Sequence, residues 1–459
     1  MTDLQAGLVA AVSGDQRRVS DGESDRALHA ADSSVHRPVR PELVVSPSST
    51  GEVSAVLAVA HAHGVPVTPF GAGSSLEGHV IPVAGGISLD LRGLDRVARV
   101  APDDLTAVVG AGVTRSALAA AAGPHGLFFP VDPGADATLG GMAATNAAGT
   151  TTIRYGKMRA NVLALEAVLP GGSVIRTGSQ APKTSAGYDL TGLLVGSEGT
   201  LAVITELTLR LHGIPEHAAA LRASFPTVEA ACRVAVAAVG AGVAVTRLEL
   251  LDHAAVEALN DHLGTGLPVG ACLLAEAAGA AGAVGADLGL LRQLAAEEGA
   301  VEIVDERDPD ARARLWQARH DVTYAMAASA PGRKEWSTDT CVPVSELPGA
   351  VAFARAELER LGLRAPILGH VGDGNVHVAL FVDPDDADEV GRVAELVDRL
   401  VGDALARGGT CTGEHGIGLG KVAALEREHP DLLPLYRGLK HLFDPRGILN
   451  PGKVIRLAD

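Results

Sequence analysis

The segment PVDPGADATLGGMAATNAAGTTTIRYG, residues 130–156, consists almost entirely of small side chains. Between Pro133 and Thr152 there is hardly a long side chain to keep another molecule at a distance. Because glycine has no Cβ atom, the backbone of such a segment can approach a large ligand closely along its whole length. The segment therefore predicts a loop that wraps around a large bound molecule.

Two further loops share this character. PFGAGSSLEG, residues 69–78, follows an apolar strand, so its backbone N–H groups could form a nest for phosphate oxygens. Leu76 stands where the dinucleotide-binding fingerprint needs a glycine, and the lysine of a Walker loop is absent. The third loop is KTSAGYDLTGLLVGSEGTLAVIT, residues 183–205. Taken alone, the loop over residues 69–78 is more simply interpreted as an ordinary turn. The loop over residues 183–205 could equally be a tight connection between strands.

The region from residue 38 to about residue 214 alternates between strand and helix patterns. ELVVSP, VPVTPF, GISLDL and TAVVGAG predict strands. SSTGEVSAVLAVAHAHG predicts a helix that starts at Ser/Thr capping candidates and ends at Gly64, and VTRSALAAAAGPHG predicts a second helix. The region therefore predicts an α+β or α/β domain, preceded by a polar, partly helical lead-in over residues 1–37.

From about residue 215 the sequence changes to Ala-rich helical stretches that alternate with short β-branched runs. VEAACRVAVAAVGAG, HAAVEALNDHL and GADLGLLRQLAAEEG predict helices, and VTRLELL and GACLLAE predict strands. This pattern indicates a second α+β domain over residues 215–420, in which helices cover an antiparallel sheet. Residues 421–459 predict a helical segment that returns to pack on the first domain.

The composition excludes several classes of function. A chain of 459 residues is long enough for two or three domains, and 47% hydrophobic residues can fill their cores. Its net charge of −17 repels phosphate backbones, and aromatic residues make up only 3%, so nucleic-acid binding is not expected. An anionic substrate would need a local cluster of positive charge, which a metal ion could supply.

The cysteines and the apolar stretches predict a cytoplasmic location. The four cysteines lie far apart, with no CxxC pair and no iron–sulfur ligand run: Cys232, Cys272, Cys341 and Cys411. The N-terminus lacks the pattern of a secretory signal, and the longest charge-free apolar stretch, Val234 to Val245, is too short to span a bilayer. Peripheral contact with the inner face of a membrane and a homodimer remain compatible with the sequence.

A pair of histidines flanks a Gly-rich turn in GHVGDGNVHV, residues 369–378. On one straight strand His370 and His377 would point to opposite faces, but a hairpin bent at the glycines lets them converge. Downstream, TCTGEHGIGLGK places Glu414 beside His415 between glycines. Two histidines and a carboxylate suit Zn²⁺, Mn²⁺ or Fe²⁺ with open positions for substrate, so we predict His370, His377 and Glu414 as metal ligands. The alternative is that these residues only satisfy turns.

The stretch LWQARHDVTYAM, residues 315–326, predicts a helix that aligns Arg319 and Thr323 on one face. Arg319 could be a solvated surface charge. An acidic protein that binds an anion needs a deliberately placed cation, however, so the functional prediction is a bidentate clamp for a substrate carboxylate.

In order along the chain, PFGAGSS, PGADATLGG with NAAG and RYG, and GYDLTGLLVGSEGTLAVIT resemble the FAD-binding domain of the vanillyl-alcohol oxidase and para-cresol methylhydroxylase superfamily. The resemblance implies that residues 71–75 hold the pyrophosphate, and that the other two loops enclose the flavin and the adenine half. It also implies non-covalent FAD, because Ser74 and Ser75 stand in the first loop. The cofactor-binding residues implied are Pro69, Gly71, Ala72, Gly73, Ser74, Ser75, Pro133, Gly134, Thr138, Gly140, Gly141, Asn146, Gly149, Arg154, Tyr155, Gly156, Glu198, Gly199, Ile204 and Asn450.

The rest of the chain resembles the FAD-linked 2-hydroxyacid dehydrogenases through LWQARHD, STDTCVPVSELP, GHVGDGNVH, GTCTGEHGIGLGK and FDPRGILNPGK. The D-lactate dehydrogenase branch is the most similar, with the glycolate oxidase flavin subunit and D-2-hydroxyglutarate dehydrogenase as alternatives. Relatives that take a second carboxylate use a lysine just before the SxDxxxP segment, where this chain has Glu335, Trp336 and Ser337. That departure argues against a dicarboxylate substrate.

The resemblance implies a fold and a reaction. The fold is α+β, with a two-part FAD-binding domain over residues 38–214 and an antiparallel-sheet-and-helix substrate domain. In the reaction, Arg319 binds the carboxylate of a D-2-hydroxy acid, His415 removes the hydroxyl proton, and Thr323 and Asn375 assist. Electrons then pass to a cytochrome, a quinone or an iron–sulfur subunit, because the chain has no cluster-binding cysteines. A flavin reductase without the metal site and a non-catalytic flavin-binding module are more remote alternatives.

Overall fold

The computed structural model of the chain describes residues 3–457. Within them the α-helices are α1 (Asp3–Ala11), α2 (Glu23–Leu28), α3 (Thr50–His63), α4 (Arg115–Ala122), α5 (Leu139–Thr145), α6 (Thr152–Tyr155), α7 (Met158–Asn161), α8 (Leu190–Leu194), α9 (Val228–Gly240), α10 (His253–Leu263), α11 (Ala281–Glu297), α12 (Pro309–Ser329), α13 (Leu347–Leu361), α14 (Ala387–Ala406), α15 (Val422–Glu428) and α16 (Leu433–Phe443). The strands are β1 (Val19–Ser20), β2 (Leu43–Val45), β3 (Val67–Phe70), β4 (Ile87–Asp90), β5 (Val97–Ala101), β6 (Thr106–Gly110), β7 (Leu127–Phe128), β8 (Val162–Val168), β9 (Val174–Gly178), β10 (Val203–Arg210), β11 (His212–Gly213), β12 (His217–Phe225), β13 (Val245–Leu251), β14 (Ala271–Gly279), β15 (Glu302–Glu306), β16 (Lys334–Ser337), β17 (Thr340–Cys341), β18 (Ile367–Gly369) and β19 (Asn375–Val382).

The described chain forms two compact units. The first contains the described residues up to Ala148, then Gly156–Ile214 and the residues from Glu414 onward. The second contains Gly149–Tyr155 and Pro215–Gly413. The lead-in and the C-terminal segment thus both belong to the first unit, and the chain enters it again at Glu414, earlier than the predicted boundary after residue 420.

The first unit is built on two main sheets. One has the order β1-β2-β4-β3, in which β2 and β3 run parallel to β4 and β1 is antiparallel to β2. The other is antiparallel, with the order β5-β6-β10-β8-β9. A small ribbon of β7 and β11 completes the unit. Its core is formed by buried residues such as Val56, Leu89, Leu118 and Leu207.

Helix α3 shows how local sequence sets these elements. The hydroxyl of Ser49 accepts a hydrogen bond from the backbone N–H of Glu52, which caps the first turn. Gly64 ends the helix in the left-handed conformation at φ 64°, where a side chain would be strained. The prediction of this helix from its capping residues is confirmed.

The second unit contains one large sheet with the order β15-β12-β14-β13-β18-β19-β16, and β17 pairs with β19 at its end. All its pairings are antiparallel. Cys272 and Leu274 of β14 pack with residues of α10 and α12. Because side chains alternate along a strand, Leu273 and Ala275 point to the opposite face of the sheet. Helices α9 and α11 also contact β14.

The architecture confirms the predicted α+β fold, with an antiparallel sheet and covering helices in the second unit. Within residues 3–457, none of the helices combines the length and the apolar character that crossing a bilayer requires.

Candidate active site

The predicted FAD loops meet one another inside the first unit. A Cβ atom added to Gly71, in the predicted pyrophosphate turn, would lie 2.4 Å from the Thr138 hydroxyl in the second loop. A Cβ atom added to Gly199, in the third loop, would lie 3.0 Å from Cγ of Pro69 at the end of β3. Three loops that are far apart in sequence therefore converge around the C-terminal end of β3. This cradle of closely packed backbone fits a large cofactor such as FAD.

The second loop is held against the antiparallel sheet at the start of α5. The backbone N–H of Gly140 donates to the Ala111 carbonyl at 2.8 Å, and a Cβ atom on Gly140 would lie 2.5 Å from Cβ of Ala111. Gly141 follows in the first turn of α5, at 3.0 Å from the Thr138 hydroxyl by the same measure. Asn146 ends α5 in the left-handed conformation at φ 53°, and its Oδ1 accepts from the N–H of Arg159.

Asn450, in the C-terminal segment, hydrogen-bonds to residues of two different parts of the first unit. Its Nδ2 donates to the carbonyl oxygens of His79 (3.1 Å) and Glu198 (2.8 Å), and its backbone N–H donates to Val67 at 2.8 Å. Glu198 is buried and adopts the left-handed conformation at φ 55°. Ile204, which we predicted beside the adenine half, lies buried on β10 in the hydrophobic core of the unit.

The other predicted cofactor residues are divided between the units. Ala72, Gly73, Ser74 and Ser75 lie in the turn after β3, Pro133 and Gly134 in the irregular stretch before α5, and Gly156 just after α6. Gly149, Arg154 and Tyr155 belong to the second unit, because α6 packs against β13. Gly149–Tyr155 is thus the one part of the predicted loop over residues 130–156 that the first unit does not contain.

In the second unit the two predicted histidines converge. β18 and β19 form an antiparallel hairpin in which Leu368 is opposite His377, and His370 follows β18 in the turn. The imidazole rings of His370 and His377 lie edge to face with centroids 5.6 Å apart. The glycines make this turn possible, since a Cβ atom on Gly374 (φ 78°) would lie 2.0 Å from the Val342 carbonyl oxygen. The convergence matches the geometry that the hairpin prediction requires.

The Nδ1 atoms of both histidines have acceptor partners. Nδ1 of His377 lies 2.9 Å from the carbonyl oxygen of Thr338, and Nδ1 of His370 lies 2.7 Å from Oε1 of Glu249. With the proton on Nδ1, the Nε2 atom of each ring carries the lone pair. A carboxylate or carbonyl behind a histidine is the usual support for a metal-binding imidazole, because it fixes the tautomer and the ring orientation.

Glu249, on β13, was not predicted as a functional residue. Its side chain is completely buried, and its Oε2 accepts from Nε (2.9 Å) and Nη2 (2.7 Å) of Arg319. Burial raises the pKa of Glu249, but the His370 ring and the Arg319 guanidinium lower it more, so that the carboxylate is favoured. The only sequence signal is a charged residue within the apolar strand VTRLELL.

Asp339 is the second residue that the sequence predictions missed. Its buried carboxylate lies 3.9 Å from Nδ1 of His377, and it accepts hydrogen bonds from Nδ2 of Asn375 (2.9 Å) and the hydroxyl of Thr412 (2.6 Å). Asn375, which we predicted as an assisting residue, is thus held by Asp339. The backbone N–H of Gly413 donates to the Asp339 carbonyl at 3.1 Å, so the chain leading to Glu414 is anchored here.

Arg319 and Thr323 lie one turn apart on α12, as predicted. Arg319 is only 7% exposed, so its alternative interpretation as a solvated surface charge is wrong. Because Glu249 occupies the Nε and one Nη2 hydrogen, a substrate carboxylate at Arg319 has to use the Nη1 side of the guanidinium. Glu414 and His415 are half-buried and belong to the first unit, directly after Gly413.

Comparison with known protein families agrees with this arrangement. Residues 41–178 match a family model described as FAD binding domain, and residues 214–454 match one described as FAD linked oxidases, C-terminal domain. The chain belongs to the FAD-linked oxidases. The family assignment confirms the FAD-binding domain and the flavoprotein oxidoreductase that we predicted from the glycine loops.

Curated relatives of this FAD-linked oxidase cover nearly its whole length. A probable mitochondrial D-lactate dehydrogenase of Danio rerio is 45% identical over 97% of the chain and 90% of its own length. A mitochondrial cytochrome-type D-lactate dehydrogenase of Arabidopsis thaliana is 39% identical over 92% of the chain and 75% of its own length. A glycolate oxidase subunit of Bacillus subtilis is 33% identical over 95% of the chain and 93% of its own length.

A solved structure of p-cresol methylhydroxylase is similar with a TM-score of 0.81, and the match covers 98% of the chain and 96% of that structure. At 16% identity this likeness concerns the fold alone, and it confirms the predicted fold.

Proposed function

We propose that this FAD-linked oxidase dehydrogenates D-lactate to pyruvate. The observation that carries the proposal is the pair of histidines in the second unit, whose Nδ1 atoms both lie on acceptor oxygens, the support typical of imidazoles that bind a metal through Nε2. Such a pair beside a buried arginine suits a substrate that has a hydroxyl next to a carboxylate. D-lactate has this structure, and the names of the most similar relatives quoted above support it.

The proposed ligand set for a divalent cation includes one residue that the sequence did not indicate. Asp339, His377, Glu414 and His415 are of the types that could hold a metal ion together, and of these we propose the first three as ligands, because His415 is the proposed base. A bound Zn²⁺ or Mn²⁺ would lower the pKa of the substrate hydroxyl. We retain His370 as a ligand candidate, because Glu249 supports its ring in the same way that the Thr338 carbonyl supports His377.

The residues of the chain bind the substrate and move its proton. Arg319 pairs with the carboxylate through the Nη1 side of its guanidinium, and Thr323 lies one helical turn further along the same face. His415 takes the proton of the 2-hydroxyl, and Asn375 is kept in place for its assisting role by its hydrogen bond to Asp339. Non-covalent FAD would supply the hydride acceptor at N5.

The electron acceptor and the location complete the proposal. The acceptor is a cytochrome, a quinone or an iron–sulfur subunit, to which the reduced protein passes two electrons. We place the protein in the cytoplasm or at the inner face of a membrane.

The choice of a monocarboxylate substrate is supported by Glu335 on β16, a strand that pairs with β19. Glu335 is opposite Phe381, and because side chains alternate, Glu335 lies on the same face as His377. Burial raises the pKa of Glu335, whereas the nearby His377 lowers it to a smaller extent. A substrate with a second carboxylate would meet an acidic residue at this place, whereas D-lactate carries only a methyl group.

Anaerobic mixing with D-lactate is therefore expected to bleach the flavin absorbance of the holoenzyme, because hydride transfer reduces the bound flavin. L-lactate, glycolate and D-2-hydroxyglutarate should reduce it at least about tenfold more slowly, since one misplaced or missing group costs roughly 1 to 3 kcal/mol in a fitted site. Stopped-flow absorbance with a panel of D- and L-2-hydroxy acids measures these rates. A flavin that none of these acids bleaches would exclude the proposed activity, and faster bleaching by glycolate would assign the glycolate alternative.

Removal of the divalent cation is expected to slow flavin reduction by about 100-fold or more without releasing FAD, because the hydroxyl then keeps its ordinary pKa. The measurement compares holoenzyme before and after dialysis against a chelator, with metal content by mass spectrometry and FAD content by absorbance. Adding back Zn²⁺ or Mn²⁺ should restore the rate, and Mg²⁺, which prefers oxygen ligands, serves as the control ion. Metal-free protein that reacts at the original rate would show that no cation is required.

A further inference from the structure

The segment Gly416–Lys421, which directly follows His415, lies along two carboxylate residues of the first unit. The backbone N–H groups of Ile417 and Gly418 each donate to one oxygen of Glu198, Oε1 and Oε2 respectively, both at 2.7 Å. On the other side, Leu419 donates its N–H to the backbone carbonyl of Glu77 at 2.7 Å. The side chain of Glu77 also pairs with Lys421 at 2.9 Å. Every residue from Ile417 to Lys421 thus makes a polar contact with Glu77 or Glu198, and the longest is from the Gly420 N–H to the Glu77 carbonyl at 3.4 Å.

The three glycines of this segment face the same two carboxylate residues. A Cβ atom on Gly416 (φ 85°) would lie 2.7 Å from Oε1 of Glu198, and one on Gly418 (φ 50°) would lie 2.1 Å from the Glu77 carbonyl oxygen. A Cβ atom on Gly420 would lie 2.2 Å from Oε2 of Glu77. The spacing of glycines in GIGLG therefore follows from backbone that runs directly against Glu77 and Glu198.

Glu198 is itself fixed from several directions. Its backbone N–H donates to the Ala144 carbonyl at 2.8 Å, and its own carbonyl accepts from Asn450 at 2.8 Å. Its Oε2 lies 3.0 Å from Nε2 of His79, and both side chains are at most 5% exposed. The imidazole of His79 thus lies against the carboxylate that binds the segment. Because Ala144 belongs to α5, Glu198 is anchored to a helix that lies within the predicted loop over residues 130–156.

We propose that Glu198 is a positioning residue for His415, because its carboxylate holds the two backbone amides that follow His415. The proposal rests on the proposed function, in which His415 takes the substrate proton. Both carboxylate oxygens of Glu198 accept hydrogen bonds from this segment. Glu198 does not touch the reacting atoms. It acts by fixing the distance and direction from which His415 approaches the substrate.

Glu198→Gln tests the proposal, because the amide keeps the size of the side chain but can accept only one of the two backbone N–H groups. In the holoenzyme we expect flavin reduction by D-lactate to slow by about 10- to 100-fold at saturating substrate, as is usual for a residue that supports a catalytic group. FAD content and substrate affinity should stay within about twofold. Hydrogen exchange of the peptide covering residues 416–420 should become about tenfold faster, because its amides lose a fixed acceptor.

Glu166→Gln is the matched control. Glu166 is a buried carboxylate of the same unit, on β8, that accepts from the Thr50 hydroxyl at 2.6 Å and pairs with Arg176. Its loss should disturb the unit about as much as the loss of Glu198, but it should change neither flavin reduction nor exchange in residues 416–420. If Glu198→Gln does not fold, Gly416→Ala disturbs the same contact from the other side and should show the same two effects.

The outcomes separate this proposal from the proposed function. Unchanged exchange of residues 416–420 in both variants would overturn the positioning role, and so would faster exchange with an unchanged reduction rate. Loss of FAD from Glu198→Gln would also overturn it, because it would assign Glu198 to cofactor binding. If wild-type flavin is reduced by no 2-hydroxy acid, the proposed function fails for a different reason, and the exchange data alone decide whether Glu198 holds the segment.

Discussion

His415→Ala is expected to slow the reduction of bound flavin by D-lactate by about 100- to 10,000-fold, the range for loss of a general base. FAD should remain bound, because His415 lies outside the glycine loops that converge around β3. The physical reason is that hydride leaves C2 easily only as the hydroxyl proton departs, and alanine cannot accept that proton. Anaerobic stopped flow measures the rate, and the ratio of flavin to protein absorbance measures the FAD content.

His217→Ala is the control for this change. His217 is half-exposed at the start of β12 and lies 3.7 Å from Glu216 in a surface pair, which contributes little. The flavin of the His217→Ala variant should be reduced by D-lactate at the wild-type rate. Equal rates in His415→Ala and wild type would remove His415 from proton transfer, whereas loss of FAD from His415→Ala would assign it to cofactor binding.

The cofactor domain could be predicted because its signal is local. Gly71, Gly140 and Gly199 each stand where the backbone meets a neighbouring loop too closely for a side chain, and such positions are visible in a single sequence as glycine. The hairpin of His370 and His377 was predictable for the same reason, because the glycines between them indicate a turn. In both cases a few adjacent residues carry the whole physical constraint.

The partners of the buried charges could not be predicted. Glu249 meets Arg319 70 positions later and His370 121 positions later, and nothing in VTRLELL encodes either distance. Asp339 stands in a segment that the sequence did single out, but its contacts with Asn375 and Thr412 depend on how distant strands pair. Such contacts follow from the sheet order, which hydrophobic patterns do not specify.

The boundary between the units shows the same limit. Residues 149–152 continue the small-residue pattern of the loop over residues 130–156, and residues 153–155 follow directly, yet α6 packs on β13 in the second unit. The contact that explains it is long-range, since a Cβ atom on Gly372 would lie 2.2 Å from Cδ1 of Ile153. Composition changes gradually there, so only the folded chain shows where one unit ends.

Glu249→Ala is expected to destabilise the second unit by about 3 to 5 kcal/mol, because it leaves the buried Arg319 without its carboxylate. For a unit of this size the melting temperature should fall by roughly 6 to 20 °C. Calorimetry of the holoenzyme measures this change. Glu216→Ala, which removes an exposed carboxylate near the start of the same unit, should leave the melting temperature within about 1 °C.

The pH dependence distinguishes loss of charge from loss of packing. The pKa of Glu249 lies below its ordinary value, so the stability that it contributes is present above that ordinary value and is lost as the pH falls through the folded-state pKa. Glu249→Gln keeps the packing but not the charge, so its deficit relative to wild type should be large at neutral pH and shrink in acid. A deficit that stays constant with pH would mean that Arg319 and His370 do not depend on the charge of Glu249. The positions of Arg319 and His370 would then be fixed by the surrounding backbone alone.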